Sequence, residues 1–600
     1  MKIALINAPF ITVRHSSPAL SLFKTLLKNI DVDSDVLYWN IDFYNQIQNY
    51  SVHEFLIKNV YNGDWVASRL AFGELGKDED YFNKCDLKPK ARILMLSLRD
   101  FYEKFANQIL IDYDLEQYEA FAFSTNIGQT VCAISLAKLL KQKFPDKFIF
   151  FGGYGVFNEI GVELLNKVPY IDAAFWHNSD KTFIEAINRF KTTKDLNQIM
   201  QNLGSSVYRY DNKLYANYNL NHIDHNEVPI PDFDDYLNKD VNACYFRDKY
   251  EQKWCNIEFS RGCYYGESVV CTFCSEPGIK MKTKPKTYEN AIRYLDDLEN
   301  RYKKQYFVVG DSLLPQGYIE NVFNPWHQNK KTDTNFFLEL KPYVTPKQLQ
   351  ILKESGVTMI QPGIESFHPE ILKLTKKGHK VHHGISFLNF CEYFGIETRW
   401  NYLVLVPLEK PEWYKEQISM IKKVTHLQKP NTIGRIIITK YTPYSDNPSY
   451  YGISELSPDS FYSSIYPDYF DMNKLCWNYD NKYQMHPEVG ILLDELNLWM
   501  KSPKRKLEFV EDLLIYDNRT TEKTISLTEK QKNIIRFCLY PKSITTIKRV
   551  FGDVDEDLNF LELNHLTYNA DNRVVSYVKV PLDFGLSEFV EEKQLVQLSV

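Results

Sequence analysis

SRGCYYGESVVCTFCSEPG, residues 260–278, places three of the chain's ten cysteines, Cys263, Cys271 and Cys274, within twelve residues; the other seven are scattered singly. A small apolar role in the core accounts for most of the scattered ones. The clustered three need a different explanation. Cys271-Thr-Phe-Cys274 is a C-x2-C pair, a spacing shared by zinc sites, iron–sulfur clusters and redox centres. A closed zinc site wants a fourth ligand. The nearest candidate, Cys255, begins the strand after which Cys263 lies, roughly 26 Å away along extended chain. No histidine lies in the loop, and a distant histidine completing a zinc-stabilised α/β binding scaffold stays open as an alternative. Three thiolates from one loop otherwise suit three corners of a 4Fe-4S cluster whose fourth iron is open to a further ligand.

The loop follows a strand-like run, CNIEFS, and opens a series of alternating strands and helices. The strands are QYFVVGD, NFFLEL, TMIQPGI, TRWNYLVLV and GRIIITKY; the helices between them include YENAIRYLDDLENRYK, PKQLQILKES and GISFLNFCEYFG. Six such units over residues 251–450 predict a partial (βα)6 barrel, whose active site gathers where strands end and loops begin. Upstream, KIALINAP, DVLYWN, EAFAFST, KFIFFGG and DAAFWHN are buried parallel strands by pattern, so residues 1–200 read as a doubly wound, Rossmann-like α/β domain. The stretch from about 41 to 115 reads as a helical insertion, and no glycine-rich dinucleotide fingerprint follows the first strand. Residues 201–250, with HNEVPIPDFDDYL, read as a linker. Residues 451–524 read as a helical extension around EVGILLDELNLWMK. Residues 525–600 read as three short helices and a hairpin, a winged-helix-like module.

Six hundred residues fit several domains, and 44% hydrophobic with 25% charged residues is a globular composition. A formal net charge of −6 argues against nucleic acid as a partner. The sequence has no apolar run long enough for a membrane helix, and MKIALINAPF lacks the parts of a signal peptide. A cytoplasmic location, where thiols stay reduced, is expected.

SRGCYYGESVVCTFC resembles the RiPP-maturation radical S-adenosylmethionine family, many of whose members are assigned as cobalamin-dependent C-methyltransferases. In that family a C-W-W-G-E stretch precedes C-T-F-C; here Tyr264 and Tyr265 replace the tryptophans, while Gly266, Glu267, Thr272 and Phe273 match. FVVGDSLLP, LELKPYVTPKQLQILKESGV and IQPGIESFHPEILKLTKKG are similar to its second, third and fourth barrel strands, and the three-part layout is also similar.

The resemblance implies a 4Fe-4S cluster on Cys263, Cys271 and Cys274 and S-adenosyl-L-methionine on its open iron. It places Phe273 near the adenine, and Glu339 and Lys341 at the cofactor's ribose or methionine carboxylate. Gln361, Gly363 and Glu365 would lie where the backbone approaches the adenosyl group, with Arg435, opening the sixth strand, a further contact. A purely structural pairing of the two glutamates with a nearby Lys or Arg is the competing reading. For the N-terminal domain the resemblance implies cobalamin held without a histidine ligand, against Pro9, Ser124, Thr125, Asn126, Gly152, Gly153 and Tyr154. Two places depart from the family: WHNSD stands where G-E-G-E is common, and LVLVPLE where a G-F-P-G-E-like ending is common. The implied function is modification, chiefly C-methylation, of an unactivated carbon in a ribosomally made precursor peptide, with a reductase or flavodoxin as electron donor. A cobalamin-independent rearrangement or cross-link of a peptide or small molecule is the alternative.

Overall fold

The computed structural model describes residues 1–176, 178–220, 224–241, 252–276, 283–303, 305–481 and 486–581. The chain forms two compact units, Met1–Ile257 with Leu456–Asp480, and Glu258–Glu455 with Asn481–Val600. The fold is α/β, as expected.

In the first unit, β1 (Lys2–Asn7), β2 (Asp33–Tyr38), β3 (Ala120–Ser124), β4 (Phe148–Gly152), β5 (Ala173–Phe175), β6 (Ser206–Tyr210) and β7 (Lys213–Asn217) form one sheet in the order β2-β1-β3-β4-β5-β6-β7. Residues 3–7 of β1 are all buried, as a strand covered on both faces requires. The pairs from β2 to β5 are parallel, and β5–β6 and β6–β7 are antiparallel. The order reverses between β1 and β3, which makes the carboxyl ends of these strands a topological switch point. Five helices between β2 and β3, from Trp39–Ile47 to Pro89–Asp112, form the expected insertion.

The β6–β7 hairpin lies inside the segment read as a linker. Its turn uses Asp211 and Asn212 at φ 47° and 57°, the left-handed pair that a two-residue hairpin favours. Both strands are short and β7 is largely exposed, so their hydrophobic pattern is weak. Residues 221–223 and 242–250 of that segment lie outside the described residues, as does His177 of WHNSD. The first unit also contains β8 (Trp254–Ile257), whose start bridges to His15. Leu456–Asp480, read as part of a helical extension, belongs to this unit too.

In the second unit, β9 (Tyr306–Val309), β10 (Asn335–Leu340), β11 (Val357–Pro362) and β12 (Glu397–Thr398) are neighbours in that order, and the β9–β10, β10–β11 and β11–β12 pairs are parallel. The expected fifth strand is broken: β12 stops, and β13 (Asn401–Val404) pairs instead with β14 (Thr432–Arg435). Trp400 explains the break. Its backbone N–H donates to Asn431 Oδ1 and its indole to the Gln428 carbonyl, so it leaves the ladder to fill the core. A bridge between Glu365 and Tyr402 resumes the pairing beyond it.

The intervening helices are capped as their sequences specify. Thr287 accepts from Asn290 N–H ahead of Tyr288–Arg301, Thr345 and Gln348 form a capping box on Pro346–Glu354, and Gly395 closes Val381–Phe394 at φ 62°. A side-chain N-cap contributes about 1 kcal/mol.

The C-terminal part has the expected three helices (Glu529–Phe537, Ile544–Phe551, Asp555–Leu563) and hairpin (Thr567–Ala570, Arg573–Ser576). A three-stranded antiparallel sheet, Leu507–Glu511, Leu514–Asp517 and Lys523–Ser526, precedes them in part of the segment read as helical. The module is anchored on the Val381–Phe394 helix: Asn389 donates to the Val578 carbonyl and accepts from Val580 N–H, and Ser386 donates to the Leu539 carbonyl. Residues 582–600 of the expected module lie outside the described residues. Among the described residues, no helix is long and apolar enough to cross a membrane.

Candidate cofactor site

Cys263, Cys271 and Cys274 are free, half-buried thiols on the loop after β8. Burial pushes the Cys263 thiol up, against hydrogen bonds from the Tyr265 and Gly266 N–H groups. Burial likewise takes Cys274 to about 11. The three sulfurs are close enough to act on one another electrostatically. Among the described residues, no three His, Cys, Asp or Glu side chains gather around a single ion position. Three sulfurs bound to different corners of a cluster do not need to.

The root of the loop is fixed by a residue that sequence reading passed over. Asp311, at the end of FVVGD and fully buried, accepts from Phe259 N–H at 2.8 Å and from the Ser260 hydroxyl at 2.9 Å. Burial raises its carboxyl to about 7, against those two bonds. Further along, Thr272 N–H reaches the Thr375 carbonyl, and the Thr272 hydroxyl lies 2.8 Å from that of Tyr444. The tip of the loop is therefore tied to the segment after β11.

Glu339, Gln361, Gly363 and Glu365 come together at the ends of β10 and β11, where the register pairs Glu339 with Gln361. Gln361 Nε2 donates to Glu339 Oε1 at 3.2 Å. Burial raises the Glu339 carboxyl to about 7; Lys377 opposes the shift, while Glu365 and Glu276 add to it. Glu365 holds a left-handed φ of +62°, a conformation that costs about 1–2 kcal/mol outside glycine. The Leu403 N–H bond to its carbonyl fixes it there.

Between these groups lies Lys377, which sequence reading did not select although TKKG was in view. Its Nζ is 2.9 Å from Glu365 Oε1 and 5.4 Å from the centre of the Phe273 ring. Burial disfavours its charge, but Glu365, Cys271 and Cys274 outweigh burial and hold it protonated. Lys341, also buried, lies over the Tyr265 ring at 3.5 Å and donates to the Lys377 carbonyl at 2.5 Å. Two buried cations thus face three thiols, a charge arrangement that suits thiolates bound to metal. The pairing of Glu365 with Lys377 is also the structural alternative foreseen for it. Arg435 closes β14 rather than opening it, and its side chain is exposed, in register with Val404.

In the first unit, the register aligns Asn7, Ser124, Gly152 and Phe175 across β1, β3, β4 and β5. The expected N-terminal residues therefore flank one rim, at the switch point. Thr125 binds the Gly152 carbonyl through both N–H and hydroxyl, at 2.7 and 2.9 Å. Gly153 sits at φ +102°, where an added Cβ would strike the Thr125 carbonyl. Asn126, Gly153 and Tyr154 are exposed. Trp477 donates its indole N–H to the Tyr154 carbonyl at 2.9 Å. Pro9 does not share that exposure. It is buried, and its neighbour Phe10 packs on Gly63 of the inserted helix Val60–Phe72.

Residues 257–421 match the family described as the Radical SAM superfamily. No curated protein sequence matches the chain. Among solved structures, the cobalamin-dependent S-adenosylmethionine radical enzyme OxsB with aqua-cobalamin bound superposes with a TM-score of 0.53 at 15% identity, over 80% of this chain and 64% of that one. OxsB with aqua-cobalamin and S-adenosylmethionine bound gives 0.53 at 14% identity, over 83% and 65%. Both are likenesses of fold, and this chain spans just under two thirds of those chains' length. The radical S-adenosylmethionine methyltransferase TsrM from Kitasatospora setae, with cobalamin and a 4Fe-4S cluster bound, gives 0.48 at 12% identity over 74% and 73%, too weak a likeness to build on.

Proposed function

With a radical S-adenosylmethionine domain at residues 257–421 as the premise, we propose that this chain is a cobalamin-dependent radical S-adenosylmethionine enzyme that C-methylates an unactivated carbon of a peptide. The observation that carries the radical half of this reading is the set of three free cysteines on one loop, faced by the buried cations Lys341 and Lys377. Cys263, Cys271 and Cys274 would hold a 4Fe-4S cluster there, which would supply one-electron reduction of S-adenosylmethionine, the electron coming from an external donor.

The chain's own residues do the rest. Asp311 holds the root of the loop, and Thr272 ties its tip down. Lys377 presents a fixed positive charge to the cofactor's carboxylate. Glu339, Gln361 and Glu365 offer acceptors for its ammonium and ribose hydroxyl groups, and Phe273 offers an aromatic face to the adenine.

Two features support the cobalamin half: the likeness of fold to OxsB, and the exposed rim of Asn126, Gly153 and Tyr154 at the switch point, where doubly wound domains bind ligands. Cobalamin there supplies the methyl donor. The peptide substrate is supported by the C-terminal module, in which Thr567–Ala570 is an outer strand of its sheet among the described residues, a position suited to pair with an added peptide strand. The buried Pro9 favours the second reading, a cobalamin-independent radical modification.

Purification under anaerobic conditions with hydroxocobalamin supplied separates the two readings. Near-stoichiometric bound corrinoid and a product heavier by one methyl group support methyl transfer. Turnover without retained corrinoid and with an unchanged methyl count overturns it.

A further inference from the structure

Lys341 presents a puzzle of charge. It is 3% exposed, yet among the described residues it forms no ion pair. A buried ammonium without a carboxylate partner is costly unless other groups compensate it. Three offset part of that cost, against burial and the repulsion of the Lys377 ammonium: the Lys377 carbonyl at 2.5 Å, the face of the Tyr265 ring at 3.5 Å, and the nearby sulfurs of Cys263 and Cys271. A close approach over an aromatic face is a genuine cation–π contact, strongest where water is excluded.

The ring that makes this contact is itself fixed. The Tyr265 hydroxyl donates to the Lys376 carbonyl at 2.7 Å, and that same carbonyl lies 3.8 Å from Cys271 Sγ. Gly378, at φ +72°, opens the slot, because an added Cβ there would collide with the Tyr265 ring. Tyr265 is thus wedged between the cysteine loop, the Lys376–Gly378 segment and Lys341. It is also one of the two positions where a tyrosine stands in place of the tryptophan found in the family that the loop resembles, and it is the hydroxyl that reaches Lys376.

We propose that Tyr265 is a positioning residue that holds Lys341 as a fixed cation against the cysteine loop and so raises the reduction potential of the cluster bound there. The proposal rests on the radical S-adenosylmethionine reading above. One-electron reduction makes the cluster more negative by one charge. A cation held close by favours the reduced form. Without the ring, the long lysine side chain regains its rotamers and its charge moves away from the loop.

The test is an EPR-monitored redox titration of the reconstituted full-length protein, with iron content measured for each variant. Lys341→Met is expected to lower the midpoint by about 59 mV, a tenfold loss in the one-electron reduction equilibrium. Tyr265→Leu should lower it in the same direction. The double variant should fall no further than Lys341→Met alone, because the two residues act as one unit. Tyr265→Phe, which keeps the ring face, should stay near the wild-type potential. Should Tyr265→Leu fail to hold iron, Tyr265→Met, which fills the gap without a π face, takes its place.

A Tyr265 variant at wild-type potential, or a double variant whose shifts simply add, overturns the proposal. A wild-type protein that takes up no cluster would instead sink the functional reading beneath it.

Discussion

Lys377 Nζ lies 2.9 Å from Glu365 Oε1, in space that exists because residue 363 is glycine: a Cβ there would come within 2.7 Å of the same nitrogen. Both side chains of the pair are nearly buried, 10% and 13% exposed. Removing one partner leaves the other charge uncompensated, which typically costs about 3–5 kcal/mol. Lys377→Met and Glu365→Gln should each lower the urea midpoint of the cluster-free protein. The double variant should cost clearly less than the sum of the two. Strict additivity would show that the two groups do not act as a pair.

Asp311 and the root of the cysteine loop give a second expectation. Asp311→Ala leaves the buried Phe259 N–H without an acceptor, a loss of about 1–3 kcal/mol, and frees the loop. Iron uptake on reconstitution should fall sharply. Asp311→Asn keeps an oxygen for Phe259 N–H and an amide for the Ser260 hydroxyl, so it should restore most of the iron. Equal iron content in all three proteins would remove Asp311 from the account.

Asp64 links stability to pH. It is buried in the insertion and accepts from Val131 N–H at the start of the Thr130–Lys143 helix; burial raises its carboxyl to about 7. The folded chain therefore keeps a proton that the unfolded chain releases near pH 4. This contribution to stability is complete below about pH 4 and is lost as pH rises toward 7. Asp64→Asn should flatten that decline. Urea midpoints of the wild type and the variant at pH 5 and 7.5 decide it, and a difference that does not change with pH would contradict the assignment.

At the rim of the first unit, Gly153→Ala must hold an alanine at φ +102° with its Cβ against the Thr125 carbonyl. The strain is of order 1–3 kcal/mol, and the Asn126–Tyr154 rim should shift with it. Corrinoid retention should fall while the iron content of the cysteine loop stays at the wild-type level. Unchanged corrinoid retention in a properly folded variant would place the cobalamin contact elsewhere.

Much of this site was legible because it depends on chemistry that is local in sequence. Cys263, Cys271 and Cys274 share one loop, and the strand endings Glu339 and Gln361 follow from parallel register. Helices that carry their own caps, such as Thr345 with Gln348, were also readable. What escaped depends on contacts distant in sequence. Lys377 gains its meaning only when Gly363 and Glu365 surround it, and Asp311 only when Phe259 and Ser260 turn toward it. The β6–β7 hairpin and the Leu507–Ser526 sheet consist of short, half-exposed strands whose period is too weak to read. Pro9 follows a strand as Thr125 and Gly153 do, and nothing local indicates that Phe10 packs against Gly63 and buries that loop. The break at Trp400 likewise comes from Asn431 and Gln428, some thirty residues downstream.

The central claim is that the cysteine loop holds a cluster that cleaves S-adenosylmethionine. The most direct measurement is 5′-deoxyadenosine formation by the anaerobically reconstituted protein under dithionite, beside a variant with Cys263, Cys271 and Cys274 all replaced by Ala. The wild type should bind about four iron per loop and form deoxyadenosine, the triple variant should do neither, and Cys391→Ala should do both. A triple variant that retains the full cluster and still releases deoxyadenosine would contradict the account.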